Sequence, residues 1–177
     1  SISGAIGALS GPLHGGAPSR VLTMLDDVEK SGDPSAYVKK ELDAGRRLMG
    51  FGHRVYRAED PRARVLRRTA AELGSSRYEV AEALEKAAIE ELTNRYPDRP
   101  LRTNVEFWSA VVLDFAEVPA HMFTSMFTCA RTAGWSVHIL EQKKLNKLIR
   151  PSARYVGPGP RPVSDVPTGD LPAGNAV

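Results

Sequence analysis

The sequence contains a single cysteine, Cys129, so no intrachain disulfide can brace the fold, and a reducing compartment is indicated. Cys129 sits in the apolar stretch "MFTCARTAGW", where nothing beside it marks a nucleophile, so it reads as buried core. No long uncharged apolar run occurs. The most apolar stretch, Val118 to Leu140, is interrupted by His121, Arg131 and His138, which makes it a core helix and not a membrane span. A basic leader segment is absent as well. The net charge of +3 and pI near 9.1 come without a dense basic stripe, which argues against a nucleic-acid groove and for small anionic ligands. There is no Cys/His metal spacing, no Walker motif and no dinucleotide fingerprint. These absences leave a cytoplasmic protein with no metal and no membrane or nucleic-acid partner as the expectation.

What is present is helical periodicity. Val21, Leu22, Leu25 and Val28 recur at helical spacing, and so do Val80, Ala81, Leu84, Ala88 and Leu92. Asp33-Pro34 and Asp60-Pro61 are two copies of one start signal, an N-cap followed by proline at the first helical position. Gly45 and Gly74 supply the matching stops. Two further helices are predicted, from about Asn104 to Phe115 and from about Val118 to Gln142. No run alternates as a strand does. From Val156 to Val177 the chain is rich in Gly and Pro without an aromatic residue, and reads as a loose tail. The fold class is all-α. The chain opens at Ser1 in mid-pattern, and reads as a C-terminal piece of a longer protein.

Several residues stand where plain structure does not need them. His14 lies in "GPLHGGAPSR", whose glycines lead into a helix N-terminus suited to an anion; a helix-connecting turn is the other reading. "GFGHRVYRAEDPR", Gly50 to Arg62, crowds His53 and several arginines around a permissive backbone. Arg62 falls in the first turn of its helix, where the macrodipole disfavours a cation, so either a ligand or surface charge must account for it. Thr103 and Glu106 match a capping box, and Glu106 is either that cap or an ionised base. Arg131 interrupts an apolar helix and calls for a carboxylate, from the protein or from a ligand. Arg150 beside Pro151 reads by itself as exposed charge. Histidines, a carboxylate and displaced arginines suit proton transfer on polyanionic carboxylate substrates.

With these motifs in order, "GPLHGGA", "GFGHRVYRAEDPR", "NVEFWSAVVLD", "ARTAGW" and "IRP", the chain resembles the C-terminal portion of citrate synthases, up to about Tyr155. The resemblance implies a citrate synthase-like helical fold. Residues 17–120 would be a small mobile domain on the CoA and oxaloacetate side, and 1–16 with 121–155 parts of a large dimerising domain, with 156–177 as tail. It implies condensation of acetyl-CoA with oxaloacetate to citrate and CoA, the tricarboxylic acid cycle reaction. No permanently bound cofactor is implied, and CoA enters as co-substrate. The alternatives are a 2-methylcitrate synthase using propionyl-CoA and a non-catalytic CoA or dicarboxylate-binding module.

By the same resemblance His14 stabilises the enol, His53 polarises the oxaloacetate carbonyl and Glu106 removes the methyl proton. Arg62 and Arg131 clamp carboxylates, and Arg150 reaches the site of the neighbouring subunit in a homodimer. Gly50, Phe51, Gly52, Arg57 and Asn104 fall on the CoA side. The family usually carries Asp where this chain has Glu106. The family's N-terminal region, with a further oxaloacetate-binding histidine, lies outside these residues, so this piece alone is expected to be inactive.

Overall fold

The structure is a computed structural model that describes residues 1–10, 16–56, 58–150 and 152–165. His14 and Arg57 therefore lie outside the described residues, as does the tail beyond residue 165. The described part is helical: α1 (Ile2–Leu9), α2 (Ala17–Ser31), α3 (Pro34–Asp43), α4 (Pro61–Glu72), α5 (Tyr78–Arg95), α6 (Val105–Phe115) and α7 (Phe123–Leu145). The pairing of Phe51 with Thr103 is an isolated antiparallel bridge outside any named strand.

Both Asp-Pro signals start helices as expected. Asp33 accepts the N–H of Ala36 at 2.9 Å, and Asp60 accepts that of Arg62 at 2.9 Å. α2 packs on α3, α5 and α6; α4 packs on α6 and α3 on α5. Their shared core is built around Trp108, Phe107, Leu25, Leu84, Val21 and Val38, all fully buried. Alanines at 63, 70, 81, 88 and 110 are also fully buried, and their small side chains let the helices approach closely. Glu85 is a buried carboxylate in this core, offset by hydrogen bonds from Trp108 Nε1 at 3.0 Å and Arg67 Nη2 at 2.8 Å. At the start of α5, Arg77 ties back to Asp26 and to both carboxylate oxygens of Glu29 on α2.

α7 corrects two expectations. It begins at Phe123, after a 3₁₀ turn at Ala120–Met122, and not at Val118. Phe123 is its one buried residue, so Cys129 is exposed rather than core, and Arg131 is exposed as well. Among the described residues α7 meets only α1, α2 and that turn in force. Met126, Val137, Leu140 and Leu145 therefore face solvent. Among the described residues after Arg150 there is no helix until a 3₁₀ turn at Val163–Asp165, and Tyr155 and Val156 are exposed. Among the described residues no helix is long and apolar enough to cross a membrane.

Candidate active site

The site grows from one tight loop. Gly50 and Gly52 both have φ of 85°, a left-handed backbone that lets the chain double back. Gly52 N–H donates to Arg102 O at 2.7 Å, and Asn104 N–H donates to Gly50 O at 2.9 Å. The Asn104 side chain completes the join. Its Nδ2 donates to Gly52 O at 2.9 Å, and its Oδ1 accepts the N–H of Glu106 at 2.9 Å. The N-cap of α6 is thus Asn104, which corrects the capping box read at Thr103. Thr103 is held one residue earlier by its bridge to Phe51, with Oγ1 buried and unpartnered. Glu106 enters the cap through its backbone N–H, while its half-buried side chain lines the cleft.

This join ties the loop that exits at His53 to the start of α6, which carries Glu106. A cleft of about 880 Å³ contains both, with Arg62, Arg131, Asn104 and residues 50–52 in its walls. His53 Nδ1 accepts the N–H groups of Val55 at 3.0 Å and Tyr56 at 3.1 Å, which leaves the ring proton on Nε2. Nε2 lies 3.5 Å from Arg62 Nη2. Two donors therefore face the same space, an arrangement suited to a ligand oxygen that accepts from both.

Arg62 is not the unpartnered cation that its place in the helix implies. Asp60 takes its Nε at 3.0 Å and its Nη2 at 2.7 Å, and the guanidinium stands 5.6 Å over the Tyr56 ring. The hydrogen bond to Asp60 raises the Arg62 pKa, against the opposing effect of burial, and the charge of Glu106 adds to the rise. Arg131 meets no protein carboxylate among the described residues. Its guanidinium lies 5.1 Å from the Phe127 ring, and both side chains line the cleft. Arg150 is exposed and lies outside the residues that line it.

The structure adds cations that the motifs did not single out. Arg20, Arg47 and Arg54 also line the cleft, none with a carboxylate partner among the described residues. A second cleft of about 590 Å³ shares Arg47, Phe51, Gly52, His53 and Arg54 with the first and adds Arg99. Their signal in the sequence was present but weak, because a lone arginine near a glycine loop is indistinguishable from ordinary surface charge. Together the two clefts form a strongly cationic surface with one carboxylate, Glu106, in its walls.

The family model described as citrate synthase, C-terminal domain, matches residues 1–152. The chain belongs to the citrate synthase family. A protein of Mycobacterium tuberculosis named "Putative citrate synthase 2" is 71% identical over 161 residues, which are 91% of this chain and 43% of that protein. The 2-methylcitrate synthase of Shewanella oneidensis is 37% identical, over 92% of this chain and 43% of its own length. Among solved structures, the citrate synthase of Thermoplasma acidophilum in ternary complex with carboxymethyl coenzyme A and oxaloacetate superposes with a TM-score of 0.71 at 34% identity. That match covers 92% of this chain and 45% of the solved one. The chain thus spans less than half the length of these citrate synthase relatives.

Proposed function

We propose that the protein is a condensing transferase that joins acetyl-CoA to oxaloacetate and releases citrate and CoA. The observation that carries this reading is the convergence of His53, Glu106, Arg62 and Arg131 on one cleft. In this reading Glu106 takes a proton from the acetyl methyl group, and the resulting carbon nucleophile attacks the ketone carbon of oxaloacetate. The His53 Nε2–H stabilises the oxygen that becomes negative. Water then cleaves the thioester, and the thiol leaves. Arg62 and Arg131 hold the carboxylates. His14 and Arg57 keep the roles that the family resemblance implies, toward the enol and the CoA phosphates.

The CoA side is the loop at residues 50–52, supported by Asn104. Arg47, Arg54 and Arg99 have no carboxylate partner among the described residues, and suit its phosphates. Residues 17–120 act as the small closing domain, supported by a core that lies almost wholly between Val21 and Val111. Arg150 serves the partner's site in a homodimer, for which the exposed apolar side of α7 is the supporting surface. A cytoplasmic location belongs to the same proposal.

The test is thiol release by the full-length protein with each substrate omitted in turn. Signal that requires both acetyl-CoA and oxaloacetate is expected, and its absence with binding retained would leave a non-catalytic module. Because a 2-methylcitrate synthase is among the relatives, propionyl-CoA is the comparison substrate, and the larger kcat/KM decides between the two acyl groups. The isolated 177-residue chain should self-associate at micromolar concentration, through the apolar side of α7. A clean monomer in sedimentation would count against that surface.

A further inference from the structure

We propose that Asp60 is a positioning residue, whose carboxylate fixes which edge of the Arg62 guanidinium meets the substrate. The inference rests on the transferase reading for the identity of the ligand, and on geometry for the rest.

The chain contains its own control. Asp33 and Asp60 are both Asp-Pro helix caps, but Asp33 is exposed and accepts one backbone N–H, from Ala36. Capping needs no more. Asp60 is 1% exposed and accepts three N–H groups of Arg62: the backbone at 2.9 Å, Nε at 3.0 Å and Nη2 at 2.7 Å. Burying a carboxylate is costly, and a helix cap alone does not require it. The hydrogen bonds from Arg62 hold the Asp60 carboxyl below its usual range even though burial works the other way.

The consequence for Arg62 is specific. Asp60 takes the Nε side of the guanidinium fork, and the Tyr56 ring sits over one face at 5.6 Å. Nη2 gives one N–H to Asp60 Oδ2, and among the described residues Nη1 has no hydrogen-bond partner, so the edge between Nη1 and the second N–H of Nη2 stays open, with Nη2 3.5 Å from His53 Nε2. An oxaloacetate carboxylate binding there brings its neighbouring ketone oxygen toward the His53 donor. Asp60 therefore acts on the reacting centre through Arg62 without touching substrate.

The decisive variant is D60N in the full-length protein, because Asn caps a helix as well as Asp but brings no negative charge to the guanidinium. Titration with oxaloacetate, followed by calorimetry, should show a Kd about 10–100-fold weaker than wild type. The KM for acyl-CoA should stay within about twofold, since that ligand is held elsewhere. The Arg62 Nε–H resonance, located by comparison with R62K, should exchange slowly in wild type and fast in D60N. D60S keeps a capping oxygen too short to reach the guanidinium, and carries the same expectation should D60N fail to fold. Unchanged oxaloacetate affinity in both variants, or an Arg62 Nε–H that exchanges fast in wild type, would overturn the proposal. So would wild-type protein that binds no oxaloacetate. Wild-type protein that binds oxaloacetate but releases no thiol would sink the transferase reading instead, and leave the positioning role standing.

Discussion

Glu106→Gln is expected to lower kcat for oxaloacetate-dependent thiol release by about 10²–10⁴-fold, the contribution typical of a positioned base. Oxaloacetate affinity should change by no more than about threefold, because the arginines hold that ligand. The amide keeps the shape of the side chain, and the N-cap is untouched: Glu106 gives Asn104 its backbone N–H, not its carboxylate. An unchanged melting temperature in the amide variant would separate this fall from any loss of stability. Full activity in the amide variant would mean that the base lies elsewhere.

Glu106→Asp asks a different question of the same position. The carboxylate retreats by about 1.5 Å if the backbone stays where it is. The first turn of α6 is pinned on both sides, by Asn104 N–H on Gly50 O and by Glu106 N–H on Asn104 Oδ1. The backbone cannot advance to make up the difference, so the rate should fall by about 100-fold. A rise would mean that the shorter acid, usual in the family, is the better fit to this cleft.

Much of the fold around this candidate site was legible in the sequence because its signals are local. Asp33-Pro34 and Asp60-Pro61 announce their helices through residues that need no distant partner. What could not be read depends on contacts across the chain. Thr103 and Asn104 are both good caps, and the choice between them is made by the Phe51 bridge and by Gly52 O, about 50 residues away. The Asp60–Arg62 lock hid in plain view, since a cation at a helix start looks misplaced until its N-cap is seen to bind it twice. Cys129 and Arg131 show the opposite limit. An apolar helix composition shows that α7 needs cover, but not whether the described residues provide it.

Gly50→Ala should be the most damaging change outside the chemistry. A Cβ at Gly50 would stand 2.7 Å from Phe107 Cβ and 3.0 Å from Phe107 Cα. Neither atom can swing away, because Phe107 is fully buried in the first turns of α6. The φ of 85° adds left-handed strain of about 1–2 kcal/mol. Overpacking against a fixed backbone adds about 1–3 kcal/mol. The sum, roughly 2–5 kcal/mol, is a large part of a typical domain's stability and should lower Tm by about 5–15 °C. Gly32→Ala separates the two causes, since Gly32 has φ of 69° but open space around its missing Cβ. That variant should lose only the strain, about 1–2 kcal/mol. The two sites also differ in what they do to the cleft. Relief of the Gly50 clash must push the loop away from α6, stretching the Asn104 bonds that join the His53 loop to the helix carrying Glu106. Thiol release in G50A should therefore fall by about 100-fold even at temperatures where the protein remains folded. Equal melting temperatures for G50A and G32A would show that the loop is free to move off Phe107, and that the junction with α6 is not what holds the site together.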